Sequence, residues 1–204
     1  VDGLNKPIVS DGTVVTYYYK NKNEEHTHTW SAWKYNNDAV YNSSSDYKDG
    51  TQTRTCSACG ESETKEAPNT ALLRRRGNAL SLESSITLAT YITKDVVDYY
   101  DEVYAEFTRN GKTEKVYPSG KTLTSNSIVY CIFDYTGISP QALGDDVSIT
   151  FYGVKDGVTY NGNAYKYSAT DYIKSTLNKP TSSAKLKTLL VDLVYYGEAC
   201  QVYQ

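Results

Sequence analysis

Residues 24–30 read EEHTHTW and residues 53–62 read TRTCSACGES. The chain has only two histidines, His26 and His28, one residue apart, and a CxxCG follows at Cys56 and Cys59. In an extended segment alternate side chains share a face, so the two imidazoles point the same way. A CxxC closed by Gly suits a turn whose backbone N–H groups support thiolates. Two imidazoles and two thiolates make a four-ligand tetrahedral zinc set. The order, His before Cys, reverses the common finger, and the gap between the pairs is longer. A Cys56–Cys59 disulfide, or free thiols beside surface histidines, are therefore open alternatives. If zinc binds, all four ligands come from protein. The coordination sphere is then closed and the ion structural, since a catalytic zinc keeps a position for water.

The surrounding segment needs such a staple. Residues 25–68 hold both tryptophans, Trp30 and Trp33, but also YNNDAVYNSSSDYKDGTQ, which is polar and turn-rich. So few apolar groups cannot hold a shape unaided, and metal-binding free energy becomes folding free energy. Trp30 and Trp33 are expected to pack around the metal. Together with Tyr17 and Tyr19 of the strand-like run GTVVTYYYK, they are also the candidate aromatics for ligand binding. Pro68-Asn69 marks a boundary, giving a small zinc-ribbon-like β module over 1–70 and a second domain over 71–204.

In the second domain the period changes. Leu80, Leu82, Ile86, Leu88 and Ile92 fall on even positions, as strand faces do. Val103, Ala105 and Phe107 alternate up to Asn110-Gly111, a strong hairpin signal because both turn residues need positive φ. The dense run SNSIVYCIFDY, 125–135, predicts a central strand covered on both faces. Val147, Ile149 and Phe151 alternate again, and turns follow at Asp156-Gly157 and Asn161-Gly162. Short strands at such intervals predict a mainly antiparallel, Ig-like β-sandwich, so the fold class is α+β.

The ending is helical. Ser168 and Asp171 fit a capping box. Tyr172, Ile173 and Leu177 share one helical face, and Pro180 breaks the chain. Leu186, Leu189, Leu190, Leu193 and Cys200 then form a second stripe, on which Gly197 permits a close backbone approach. A helical hairpin docked on the sheet is expected. Cys131 and Cys200 sit in apolar contexts and read as buried thiols or as a disulfide fastening helix to sheet.

Composition bounds the function classes. A chain of 204 residues with 39% apolar content can bury a real core. Its net charge of −3, with acids and bases mixed, argues against nucleic acid. The single basic run, Arg74-Arg75-Arg76, reads as a solvated edge. No apolar run is long enough to span a membrane. The absence of Met, even at position 1, reads as a mature or trimmed fragment. Tyr is the anomaly, 21 against 3 Phe and 2 Trp. Tyr favours strands and half-wet surfaces, and with abundant Ser, Thr and Asn it fits an extracellular β-protein.

The stretches LRRRGNALSLESSITLATYI, FTRNGKTEKV, YKYSATDYIKSTL and LKTLLVDLVYYGEACQVY resemble a β-rich module of secreted, multi-domain surface proteins of gut-dwelling Gram-positive anaerobes. The resemblance covers roughly residues 72–204. It is most specific over Tyr196-Gly197-Glu198-Ala199-Cys200-Gln201-Val202-Tyr203. The upstream HTHTWSAW and GTQTRTCSACGESETKEAP are similar to a short Cys-pair module that often recurs in tandem in such proteins. The likeness implies an extracellular, wall-associated bacterial context rather than a chemistry. The chain departs from the pattern at Ala89-Thr90, where a more apolar pair is expected.

Outside the zinc candidate there is no His, which excludes Ser-His-Asp and Cys-His catalysis in the second domain. No GxSxG, P-loop or dinucleotide fingerprint occurs. Two carboxylates would suffice for a glycosidase, but Glu106, Asp134 and Asp145-Asp146 read as strand-end and loop solvation. Asp145-Asp146 also lacks the ligand run of a Ca²⁺ loop. No catalytic residue is predicted. The expectation is a non-catalytic surface module binding a glycan or protein, with a structural spacer and a hydrolase as the alternatives.

Overall fold

The computed structural model describes residues 9–10, 13–14, 26–82 and 85–202. Tyr17 and Tyr19 lie outside them. Val9–Ser10 (β1) pairs with Thr13–Val14 (β2). The front part then contains Lys34–Tyr35 (β3), Val40–Ser43 (β4), Asp46–Lys48 (β5), Gly50–Thr55 (β6) and Ser62–Ala67 (β7). β3, β6 and β7 form one antiparallel sheet and β4 and β5 a hairpin. Burial here is sparse. Among residues 26–67 only Gly50, Gln52, Cys56 and Ala67 are buried.

A short 3-10 turn, Thr70–Leu72, leads into two larger antiparallel sheets. The first has the order β12-β13-β9-β8, from Gly77–Leu82 (β8), Ile86–Thr93 (β9), Pro118–Ser125 (β12) and Ile128–Ile138 (β13). The second runs β11-β10-β14-β15, from Glu102–Arg109 (β10), Lys112–Val116 (β11), Val147–Lys155 (β14) and Val158–Asn161 (β15). Tyr165–Tyr167 (β16) pairs with the other half of β14. The even-numbered apolar residues of β8 and β9 face each other across a hairpin, Leu80 opposite Leu88 and Leu82 opposite Ile86.

The core lies between these sheets. All three phenylalanines are lost to solvent: Phe107 0%, Phe133 0% and Phe151 1% exposed. Phe133 meets Phe151 edge-on at 5.2 Å, and Phe107 stacks on Tyr135 at 4.9 Å, so inner faces of both sheets interlock. Burying such a side chain contributes roughly 1.5–3 kcal/mol. Thr90, where an apolar residue is expected, is fully buried. Its hydroxyl hydrogen-bonds Tyr165 at 2.6 Å and lies 3.3 Å from the Gly77 carbonyl, which offsets the desolvation.

Several elements differ from the sequence expectation. The run 125–135 is split by a turn at Asn126-Ser127, with φ of 49° and 62°, and the strand starts at Ile128. Its burial alternates, so one face meets the core and the other is only partly covered. An apolar run cannot by itself say which face is wet. β12 is polar along nearly its whole length and sits at a sheet edge, where neither face demands apolar residues. Lys94–Tyr99 (α1) interrupts the strands, too short for a 3.6-residue period to show. Asn161-Gly162 makes no positive-φ turn. A Cβ at Gly162 would stand 1.6 Å from the Leu73 carbonyl oxygen, so glycine is there for space.

Two helices end the chain, Ala169–Asn178 (α2) and Ala184–Val202 (α3). The capping box forms as expected: Ser168 Oγ accepts from the Asp171 N–H, and the Asp171 carboxylate accepts from the Ser168 N–H. On α3 Leu190 and Gly197 face inward, but Leu189 is 51% exposed. The helix docks through one narrow face, and Leu189 lies off it. All four cysteines are free thiols, so neither disulfide alternative forms. Among the described residues no helix is long and apolar enough to cross a membrane.

Front and back are tied by buried polar contacts. Tyr160 donates its hydroxyl to Gln52 Oε1 at 3.0 Å, and Gln52, 4% exposed, donates in turn to the Glu66 carbonyl. Tyr100 donates to the Pro68 carbonyl. The rings of Tyr35 and Tyr160 meet edge-on at 5.3 Å. Tyrosine thus supplies both apolar area and a hydrogen-bonding tip at this seam.

Candidate metal centre

The turn between β6 and β7 carries both cysteines. Gly60, at φ 76°, reverses the chain and donates its N–H to the Cys56 carbonyl. The Cys56 N–H donates to the Glu61 carbonyl, which closes the loop. The HTHTW segment is laid against this turn by backbone bonds: Trp30 bridges Cys56, Ser31 N–H donates to Thr55, and Ser57 N–H to Thr29. That antiparallel placement brings alternate residues, His26 and His28, over the two sulfurs.

His26 Nε2 lies 3.6 Å from Cys56 Sγ, and His28 Nδ1 lies 3.7 Å from Cys59 Sγ. All four ligand atoms fall within 4.8 Å of one another. A tetrahedral ion with bonds of about 2.0–2.3 Å places its ligand atoms roughly 3.3–3.8 Å apart. The cluster is therefore of a size that could hold a metal ion, and the four residues named from the sequence are the ones assembled.

The electrostatics suit thiolate ligands. Cys56 is 1% exposed. The His26 imidazole, and then the Cys59 backbone N–H, hold its thiol down to about 5. The Glu61 N–H approaches Cys59 Sγ at 3.5 Å. Glu61 also places its carboxylate 3.5 Å from His28 Nε2, the ring nitrogen that turns away from the sulfurs. Sequence reading did not single out Glu61, although a polar residue directly after CxxCG was a usable signal.

The tryptophans pack here. Trp30 stacks on His28 at 4.7 Å. The Arg54 guanidinium lies 4.9 Å from the Trp30 ring and 4.7 Å from the Trp33 ring, and Lys65 Nζ is 4.3 Å from Trp33. Arg54 is held in turn by Glu63. Cations and an imidazole thus occupy ring faces that a glycan platform would leave bare. Of the carboxylates weighed for hydrolysis, Asp134 lies with Lys121, Asp145 with Asn110 and Asp146 with Lys166. No protein-family model matches the chain, and no curated protein matches it, so the His–Cys cluster carries the functional argument.

Proposed function

We propose that this chain is a non-catalytic extracellular module, secreted or wall-associated, that binds a glycan or protein at a bacterial cell surface and is held in shape by one structural zinc ion. The observation that carries the metal part is the meeting of His26, His28, Cys56 and Cys59 within 4.8 Å, in a segment that otherwise buries only three residues. A mixed nitrogen–sulfur donor set of four is the preference of Zn²⁺, and four protein ligands leave no open position for chemistry. In this reading the front, to about residue 70, is a zinc-ribbon-like β module. The back is an Ig-like β-sandwich carrying a helical hairpin, a reading supported by two antiparallel sheets that interlock through Phe107, Phe133, Phe151 and Tyr135.

Metal analysis of the purified chain tests the first part, with one equivalent of zinc as the expected result. Absence of metal, with Cys56 and Cys59 freely alkylated under native conditions, would remove it. Binding screens against glycans and host proteins test the second part. A spacer role is the alternative, favoured by the buried Tyr160–Gln52 hydrogen bond that stiffens the joint between front and back. A screen without a single ligand selects the spacer.

A further inference from the structure

Two clefts meet at Arg75. One, of about 260 Å³, is lined by Tyr41, Arg74, Arg75, Asn163 and Tyr165. The other, of about 570 Å³, is lined by Arg75, Asn78, Tyr167, Tyr172, Ser175 and Lys179 among others. The chain carries 24 acids, yet no Asp or Glu lines either cleft. Among the described residues no carboxylate pairs with Arg74, Arg75 or Lys179, whereas six other Lys or Arg side chains pair with carboxylates elsewhere. The one acid felt by Tyr167, Asp171, is engaged in the α2 capping box.

Aromatic rings hold the two arginines instead. The Arg74 guanidinium lies 3.3 Å from the Tyr41 ring centre, and Arg75 lies 4.7 Å from Tyr165 and 5.4 Å from Tyr167. Asn78 fixes Arg75 further. In the amide orientation that lets it donate to Thr90 Oγ1 and the Gly77 carbonyl, its oxygen accepts from Arg75 Nη1 at 2.6 Å. A ring engages the face of a guanidinium, while an anion takes its N–H edge. A guanidinium seated on a ring and lacking a carboxylate partner keeps part of that edge available. Burial and the nearby Arg76 charge push the Arg74 pKa down, against the opposing effect of Tyr41.

The geometry points to a binding groove for an acidic saccharide chain, with its anionic groups on Arg74, Arg75 and Lys179 and its hydroxyls on Asn163, Ser175 and the neighbouring Ser and Thr side chains. The larger cleft falls in the size range of small-molecule sites, and the pair extends along the surface as a polymer needs. The inference rests on the surface-binding reading above and names its ligand class.

The test is calorimetric titration of the metal-loaded full chain with three probes: a galacturonic acid oligomer, a sulfated heparin oligomer and a neutral galactose oligomer of matched length. Binding of an acidic probe but not the neutral one is expected, weakening as salt rises. Binding of the galacturonate oligomer shows that carboxylates suffice, and binding of the heparin oligomer alone shows that sulfates are needed. Arg75→Ala and Lys179→Ala should each weaken it about tenfold or more, equal to ~1.4 kcal/mol. Far-ultraviolet circular dichroism and the thermal midpoint report whether each variant stays folded, and Lys179, at the exposed end of α2, provides a second variant if Arg75→Ala does not. Failure of both acidic probes, or binding that neither variant weakens, overturns the groove. Binding of a neutral glycan or a protein alone would overturn it while leaving the broader surface-binding reading in place.

Discussion

His28 is held between a sulfur and a carboxylate: its Nδ1 lies 3.7 Å from Cys59 Sγ and its Nε2 lies 3.5 Å from Glu61 Oε2. With a metal on Nδ1, the Nε2–H donates to Glu61. That contact fixes the tautomer and makes the ring a better ligand. Such partners are worth about 10–100-fold in metal affinity. Glu61 is 67% exposed, which places the effect at the low end. Glu61→Gln should weaken zinc affinity roughly tenfold with stoichiometry unchanged, as read by competition with a chromogenic chelator. An unchanged affinity would reduce Glu61 to a bystander.

Both tryptophans lie in the front part, Trp30 against His28 and Trp33 under Arg54 and Lys65, so Trp emission reports that part alone. Stripping the metal, or replacing Cys56 by Ser, should shift emission to the red. Far-ultraviolet circular dichroism should keep most of its strand signal, because the strands that carry the phenylalanine core belong to the two larger sheets and not to the sheet of β6 and β7. Simultaneous loss of both signals would mean that the two parts fold as one unit.

The seam between the parts depends on Tyr160 and Gln52. Tyr160→Phe leaves the buried Gln52 oxygen without its donor, at a cost of about 1–3 kcal/mol. Urea unfolding should show an earlier Trp transition in this variant, separated from the circular dichroism transition. Coincident transitions at the wild-type midpoint would show the bond to be dispensable.

A Cβ at Gly197 would stand 2.6 Å from the Pro140 carbonyl oxygen and 2.9 Å from Leu143 Cδ1. Alanine would improve helix propensity by roughly 1 kcal/mol, while overpacking against backbone costs about 1–3 kcal/mol. The clash should win, and Gly197→Ala should lower the thermal midpoint. The same change at a solvent-facing helical position would not carry this penalty. A raised midpoint would mean that the α3 backbone does not press on the Pro140 carbonyl.

Burial pushes the Tyr100 and Tyr165 hydroxyls well above the usual tyrosine range. Their folded pKa exceeds the unfolded value, so the folded state binds more protons once pH passes about 10. Stability should be level below that pH and fall as pH rises beyond it. Absorbance at 295 nm should show a late group of tyrosines ionising together with loss of circular dichroism. Smooth titration of every tyrosine in the intact fold would contradict the burial of these two.

Much of the architecture was legible in local pattern. Asn110-Gly111 and Asp156-Gly157 turn with positive φ, the Ser168–Asp171 box caps α2, and the alternating Phe107, Ile149 and Phe151 face the core. Each depends on chemistry within a few residues of chain. The cluster of His26, His28, Cys56 and Cys59 was legible too as a set that could hold a metal, with a disulfide or free thiols as the alternatives.

What the sequence by itself determined is therefore the residue kinds and local turns: two imidazoles on one face, two thiols in one loop, and strands of period two. Tertiary structure alone decided which surfaces meet. It set Glu61 behind His28, capped the Trp rings with Arg54 and Lys65, seated Arg74 and Arg75 on tyrosines, and turned Leu189 outward. Period and propensity act over a few residues, whereas these contacts join positions tens to about a hundred residues apart, brought together by packing that no local pattern encodes.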